Sequence, residues 1–276
     1  MALDGIVHPG KIAIFGMYKS GTTALFYRIK NSLTGDVHAL FEPDRYAPEP
    51  ADLHRWVLAK VILGAPERGH RVDYATFLDF DKKLVLVRDP RDWVVSGTLF
   101  LIQQVAHLYN DDDKLNRVLE LLRQKEHSPK SLPLTRLLDQ VVRTDPCQSL
   151  AETLEWMKRQ YRWVIEFESD LGDHCRIKYE DMVGGHLRGL EDYLGFPLTG
   201  AAEVAPEHDH VPRTKSSGDW KNWFLAEDVA RLRTVFDEYL RRYEYDLDWS
   251  PSEQPVFRPE HCSQYVARVV KKRRGR

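Results

Sequence analysis

Lysine, hydroxyl and glycine residues are concentrated near the start of the chain, in Gly16-Met17-Tyr18-Lys19-Ser20-Gly21-Thr22-Thr23. An apolar run, residues 11–16, precedes this segment, and apolar residues at helical spacing follow it. Between a strand and a helix, backbone N–H groups and the helix dipole together form an anion site. The segment therefore predicts a loop that binds a phosphate group. The alternative interpretation is a turn rich in small residues before a helix.

The position of the lysine separates this segment from the loop of nucleoside-triphosphate hydrolases. In that loop a lysine directly follows the second glycine. Here Thr22 follows Gly21, and Lys19 lies two residues before that glycine. The register argues against ATP or GTP hydrolysis. Two further function classes stay open, namely a P-loop kinase acting on a small molecule and a non-catalytic nucleotide-binding module.

A second candidate anion site follows another apolar run, residues 83–87. Arg88 stands at the carboxyl end of this predicted strand, and Ser96 follows about two helical turns later. In open parallel sheets ligands bind at the carboxyl ends of the strands, and a guanidinium suits a phosphate. Arg88 and Ser96 can thus face one crevice. The alternative is a surface arginine in a salt bridge beside an ordinary helix serine, and we interpret Arg91 as the solvated partner of an acid.

Together with Gly218-Asp219-Trp220-Lys221-Asn222, these two segments resemble the sulfotransferases that use 3′-phosphoadenosine 5′-phosphosulfate (PAPS). The resemblance covers most of the chain. It implies that Lys19 stabilises negative charge on the oxygen that bridges phosphorus and sulfur, and that Ser20 tunes this lysine. The loop as a whole would grip the 5′-phosphate, through Gly21, Thr22 and Thr23.

The same resemblance assigns Arg88, Ser96 and Arg213 to the 3′-phosphate. After Arg213 the family has lysine and glycine, whereas this chain has Thr214 and Lys215, and Lys215 is a candidate to replace the charge. Ala24 stands where many members carry an aromatic residue that stacks on adenine, so another aromatic side chain must do this. Tyr179-Glu180-Asp181 matches a recurrent family tripeptide, to which we assign a structural role.

Sulfuryl transfer also needs a base that removes a proton from the acceptor hydroxyl or amine. In the small-molecule branch of the family, this base is a histidine two residues after a lysine. Here the residue two positions after Lys60 is Ile62. Phe41-Glu42 resembles the glutamate context of some carbohydrate-directed members. We therefore predict Glu42 as the base, with His38 as second choice. Lys60 is predicted to contact the transferring sulfonate, or else to pair with an acid at the sheet margin.

The acceptor follows from this choice of base. A carbohydrate or other hydroxylated metabolite is the first hypothesis, and a phenol or steroid is the second. Histidines and acids show no ligand spacing, so no metal is expected.

Alternating strands and helices must position these residues. Apolar runs predict strands at 11–16, 36–41, 57–63, 83–87 and 175–179, and helical patterns cover 22–33, 90–107, 150–166 and 226–243. This order predicts an α/β fold, with a central parallel sheet flanked by helices and a P-loop-like strand, loop and helix. We expect one domain over residues 1–276. It would include a variable helical or loop insertion at about 109–148 and a basic tail at about 268–276.

Composition narrows the classes of partner. The 276 residues are 42% hydrophobic and 30% charged, with a formal net charge of -2, which argues against general electrostatic attraction to nucleic acid or anionic membranes. The chain shows neither a signal-peptide pattern nor an apolar run that would span a bilayer, so a cytoplasmic protein is expected. A short charged terminus is usually disordered, and we assign the basic tail no function.

Overall fold

The computed structural model describes residues 9–66, 71–142, 149–202, 213–214 and 216–275. The chain divides into two compact units. One consists of Met1–Arg88 with Trp163–Ala205, and the other of Asp89–Arg162 with Pro206–Arg276. The expectation of a single domain over residues 1–276 stays a prediction.

The first unit contains a sheet of five parallel strands in the order β2-β3-β1-β4-β5. The strands are β1 (Lys11–Met17), β2 (Val37–Phe41), β3 (Trp56–Leu63), β4 (Lys82–Val87) and β5 (Cys175–Lys178). All five predicted strands are confirmed. The α/β class with a parallel central sheet flanked by helices is also confirmed. Its physical cause is that short buried apolar runs between turns favour parallel strands covered on both faces.

The helices follow the predicted pattern with some changes of boundary. They are α1 (Thr22–Ser32), α2 (Pro90–Leu101), α3 (Ala106–Tyr109), α4 (Asp112–His127), α5 (Leu134–Val142), α6 (Leu150–Asp170), α7 (Tyr179–Val183), α8 (Arg188–Leu194), α9 (Trp220–Trp223), α10 (Ala226–Arg242) and α11 (Ser263–Arg274). Among these helices, none combines the length and the hydropathy that a bilayer span requires.

Alternate side chains of the central strand cover opposite faces of the sheet. Ile12 and Ile14 point to the face that carries α1, α7 and α8, where they join one buried apolar cluster. Phe15 points the other way and contacts Phe77 and Phe167, at ring-centroid distances of 6.4 and 5.2 Å. The central strand is therefore covered by buried apolar side chains on both faces.

The second unit is held together by an apolar stripe on α10 and by a buried carboxylate. Tyr161 contacts the rings of Phe236 and Tyr239, at 5.2 and 4.6 Å. Asp228 is fully buried, and it accepts the backbone N–H groups of Leu134 and Thr135 at the start of α5. A carboxylate at a helix N-terminus satisfies N–H groups that would otherwise lack partners.

Three expectations need correction. The helix predicted over 90–107 ends at Leu101, and α3 is a separate turn. The basic tail was expected to be disordered, but its residues up to Arg274 belong to α11. This helix buries an apolar stripe formed by Tyr265, Val266, Val269 and Val270. Arg91 does pair with an acid, Asp89, but it is buried rather than solvated, and its guanidinium lies 4.4 Å from the ring centroid of Trp220.

Candidate functional site

The loop between β1 and α1 forms a tight turn that ends at the first turn of the helix. The backbone N–H and the hydroxyl of Ser20 both donate to the carbonyl oxygen of Met17, at 3.1 and 2.6 Å. Gly21 has φ 101°, a left-handed conformation that glycine adopts without strain. Thr22 and Thr23 are the first two residues of α1. The predicted strand, loop and helix are thus present, with the hydroxyl residues at the helix N-terminus.

Two glycines allow this loop to pack as closely as it does. A Cβ atom at Gly16 would lie 2.6 Å from Cγ2 of Thr22 and 2.9 Å from the carbonyl oxygen of Leu86. A Cβ atom at Gly21 would lie 2.4 Å from a ring carbon of Tyr179. Only glycine fits at either position without displacing a neighbour. The shape of the loop is therefore set by packing within the protein.

Lys19 occupies the left-handed region, with φ 61°, although it is not a glycine. Its carbonyl oxygen accepts a hydrogen bond of 2.7 Å from Nη1 of Arg88. Such backbone conformations persist only where the surroundings hold them, and they concentrate at functional sites. Lys19 is accordingly the strained residue of the loop, and Arg88 is one of its supports.

Arg88 directly follows β4 and is only 7% exposed. Its guanidinium carbon lies 4.3 Å from the ring centroid of Tyr179, the first residue of α7. Nε of Arg88 is buried and has no hydrogen-bond partner among the described residues. A buried guanidinium N–H without an acceptor is costly, and an anionic ligand would supply one.

A lysine and a glutamate form a pair at the carboxyl end of β2. Lys60 of β3 is 2% exposed, and its Nζ donates to Oε1 of Glu42 at 2.5 Å. Burial lowers the pKa of Lys60, while the charge of Glu42 opposes that shift. The ammonium also lies 3.9 Å from the ring centroid of Phe41. Lys60 therefore pairs with an acid, as one of the two predictions had it.

Glu42 directly follows β2 and has φ 56°, again left-handed. Its backbone N–H donates to the carbonyl of Lys60 at 2.9 Å, and 48% of its side chain is exposed. β3 lies between β2 and β1 in the sheet, with Leu63 beside Met17. The carboxyl ends of parallel strands share one edge. Lys19, Arg88 and Glu42 thus follow strands at that edge, whereas Lys60 lies within β3, three residues before its end, and contacts Glu42.

His38 is not part of this group. Its Nδ1 lies 2.9 Å from Oδ1 of Asp52, and it precedes Glu42 by four strand positions, about 13 Å along the chain at ~3.3 Å per residue. Burial opposes ionisation of Asp52, but hydrogen bonds from Glu49, His38, Tyr46 and Arg55 hold the pKa of Asp52 well below its usual range. The second-choice base therefore lies in a separate cluster.

The separate cluster brings together three potential metal ligands that the spacing in the sequence did not indicate. Ligand atoms of His38, Glu49 and Asp52 lie within 4.8 Å of one another. However, Arg55 donates to Glu49 at 2.5 Å and to Asp52 at 2.9 Å. Its guanidinium pairs with both carboxylates, so the arrangement is an ion-pair cluster.

The remaining predicted ligands belong to the second unit. Ser96 is buried within α2. Arg213 donates to Oδ2 of Asp219 at 2.7 Å and to the carbonyl of His261 at 3.2 Å, while its Nε has no acceptor in the described part of the chain. The hydroxyl of Thr214 accepts a long hydrogen bond from the N–H of Ser216. Lys215 lies outside the described residues.

The segment 216–222 is anchored by Asp92, which sequence reasoning did not single out. Asp92 is fully buried, and it accepts the N–H groups of Gly218 and Trp220 at 2.5 and 2.8 Å. Asp219 in turn accepts from Nε1 of Trp223 at 3.2 Å. The sequence did contain a signal for this role, because Asp92 lies one helical turn before Ser96 and on the same face of α2.

Comparison with known proteins identifies the fold. No family model and no curated protein matches the sequence. The crystal structure of mouse sulfotransferase SULT7A1 complexed with PAP matches with a TM-score of 0.50 and 16% identity, over 86% of this chain and 89% of that chain. This chain has the sulfotransferase fold.

A second match, at a lower TM-score, is retinol dehydratase in complex with androsterone and inactive cofactor PAP. Its TM-score is 0.41 and its identity 16%, over 88% of this chain and 83% of that chain. At 16% identity, the match to the mouse sulfotransferase establishes the fold and not the role of any residue. The fold expected from the three sequence segments is therefore confirmed, and the site assignments stay predictions.

Proposed function

We propose that this protein is a sulfotransferase that moves the sulfuryl group of PAPS to a hydroxyl or amine of a carbohydrate or small hydroxylated metabolite. One observation carries the proposal. A phosphate loop with a lysine follows β1, an arginine whose buried Nε has no acceptor among the described residues follows β4, and a lysine–glutamate pair lies at the end of β2, all in one parallel sheet. The matching mouse sulfotransferase was crystallised with PAP, which supports the choice of nucleotide.

The residues of the first unit fit the two phosphates of such a donor. The N–H groups at the start of α1, with Ser20, Thr22 and Thr23, would hold the 5′-phosphate. Arg88 would use its unpartnered Nε for the 3′-phosphate. The resemblance to the family adds Ser96, Arg213, Thr214 and Lys215 as further ligands of that phosphate. Bound PAPS supplies an activated sulfuryl group, and the protein supplies position and charge.

Lys19 would stabilise the negative charge that develops on the oxygen between phosphorus and sulfur. A fixed ammonium at that atom acts most strongly on the transition state, because the charge grows there as the bond breaks. The left-handed backbone at Lys19 and its hydrogen bond from Arg88 fix the point from which the side chain starts. Lys60, a second buried ammonium in this sheet, would face the sulfonate oxygens.

Glu42 would accept the proton of the acceptor. In a single displacement the acceptor oxygen or nitrogen forms a bond to sulfur, the bond from sulfur to the nucleotide oxygen breaks, and the acceptor proton passes to the carboxylate. Lys60 fixes one carboxylate oxygen of Glu42, and half of the side chain stays accessible to an acceptor. The resemblance of Phe41-Glu42 to carbohydrate-directed members of the family supports a hydroxylated acceptor such as a carbohydrate.

Nucleotide binding and acceptor labelling test the proposal together. Titration calorimetry should show tight binding of adenosine 3′,5′-bisphosphate, and radiolabelled PAPS should label at least one member of a panel of sugars, phenols, steroids and amines. Absence of bisphosphate binding would overturn the whole proposal. Transfer of phosphate from radiolabelled ATP to the same panel would support the kinase alternative.

A further inference from the structure

We propose that Arg88 is a positioning residue for Lys19 in addition to a phosphate ligand, and that Tyr179 holds Arg88 in this role. We call these two residues the Arg88–Tyr179 clamp. The inference rests on the proposed function, since it concerns the lysine that would face the transferred group.

The first contact of the clamp is with the backbone of the loop. Nη1 of Arg88 donates to the carbonyl oxygen of Lys19 at 2.7 Å. A hydrogen bond from a charged donor is about twice as strong as a neutral one. It acts on the peptide group that directly follows the strained φ angle of 61° at Lys19. Without it, the loop would relax toward backbone angles that a lysine prefers, and the side chain would start from a different point.

The second contact fixes the arginine itself. The register of β4 and β5 pairs Val87 with Lys178, so the residues that follow, Arg88 and Tyr179, stand side by side. The guanidinium lies 4.3 Å from the ring centroid of Tyr179, and that ring is buried. Stacking on an aromatic face orients the planar guanidinium.

The same ring also limits the loop from another direction. Its Cδ2 would lie 2.4 Å from a Cβ atom placed at Gly21. One aromatic side chain thus packs against the glycine on one side of Ser20 and supports, through Arg88, the lysine on the other side. The geometry of Lys19 is therefore determined by residues of β4, β5 and α7, and not only by its own loop.

This arrangement predicts a coupling that a simple phosphate ligand would not produce. Part of the Arg88 guanidinium binds the loop, while its Nε is left for a ligand. Loss of Arg88 should therefore reduce turnover even with a donor that has no 3′-phosphate. Small displacements of a catalytic group cost about 10²-fold in rate.

The decisive experiment compares PAPS with adenosine 5′-phosphosulfate, which lacks the 3′-phosphate, in Arg88→Lys, Arg88→Met and Tyr179→Leu. With the clamp, kcat falls about 10²-fold with both donors. If Arg88 serves only as a 3′-phosphate ligand, the variants raise KM for PAPS and leave turnover of the shorter donor at the wild-type value, which would overturn the inference. Arg162→Lys is the matched control, because Arg162 is an exposed arginine paired with Glu238.

Hydrogen exchange in the ligand-free protein gives a readout independent of activity. Amides of residues 18–22 should exchange faster in Arg88→Met and Tyr179→Leu than in wild type, while amides of α10 and the melting temperature show that the fold is intact. Unchanged exchange in both variants would also overturn the clamp. Wild-type protein that turns over neither donor would instead contradict the proposed function, and the exchange experiment would still decide on the clamp.

Discussion

The loop at residues 16–23 and the loop at residues 213–222 both match the sequence pattern of a phosphate site, yet they differ in how their charges are used. In the first, Arg88 donates to a neutral carbonyl and keeps an unused N–H. In the second, Arg213 is paired with the carboxylate of Asp219, and its Nε likewise has no acceptor among the described residues. A phosphate at the second site must therefore compete with an internal acid for the arginine, whereas Arg88 is bound to a neutral carbonyl.

The difference has a physical cause. An anion site built from backbone N–H groups follows from the spacing of strand, glycine and helix, and all of these are local in sequence. A site built from one long side chain depends on which acids and carbonyls surround that side chain after folding. Backbone sites are therefore more visible in a sequence than side-chain sites.

Replacing Lys19 should give the largest effect. We expect Lys19→Ala to lower kcat by about 10²–10³-fold, since a fixed charge at the leaving oxygen is lost. Initial rates with saturating PAPS measure this. Lys19→Gly is the matched variant, because it removes the charge but tolerates the left-handed backbone. Recovery of activity in the glycine variant would show that backbone strain, and not the ammonium, accounts for the loss.

Glu42→Gln should lower kcat by about 10²-fold and leave the affinity for adenosine 3′,5′-bisphosphate unchanged, because the amide cannot accept the acceptor proton. Turnover assays and titration calorimetry separate the two quantities. Full activity in this variant would remove Glu42 as the base and leave the nucleotide site standing. His38→Gln is the comparison, and it should retain activity.

The two loops can be compared directly through their glycines. Gly21 and Gly218 both have positive φ, 101° and 80°, but only Gly21 faces a neighbouring ring, and the position of a Cβ at Gly218 is open. We expect Gly21→Ala to lower the free energy of unfolding by about 2–4 kcal/mol, and Gly218→Ala by about 1 kcal/mol. Urea denaturation measures both values. Equal losses would mean that Tyr179 does not constrain the first loop.

Releasing Arg213 should give the smallest effect. We expect Asp219→Asn to raise the affinity for adenosine 3′,5′-bisphosphate by about two- to fivefold, because an ion pair of about 0.5–1 kcal/mol no longer competes with the ligand. Calorimetric titration checks this, with Asp173→Asn as a control at an exposed acid. An affinity that falls would show that Asp219 orients Arg213 for binding.

Local pattern predicted the sheet well. The five strands lie where apolar runs are bounded by turn residues, while the separation of the first loop from triphosphate loops by its lysine register stays a prediction. Contacts between side chains that are distant in the sequence were harder to predict. Pairing of Lys60 with an acid was one of two open interpretations, and Glu42 was not identified as that acid, because the contact depends on β2 lying beside β3.

The misses concern burial that only tertiary structure creates. Arg91 was interpreted as solvated because arginine usually is, yet Trp220 covers it. The basic tail was assigned to disorder from its charge, although the valines of α11 lie on one helical stripe. In both cases the partner surface comes from residues far away in the sequence.

The pairing of β4 with β5 has a consequence for synthesis of the protein. It joins Leu84 to Cys175, so the ribosome must deliver the intervening chain before the fifth strand can enter the sheet. Until then β4 offers an open edge on which other chains can pair. Non-local parallel pairing is also slow. We therefore expect nascent chains that stop before residue 175 to associate with chaperones during translation.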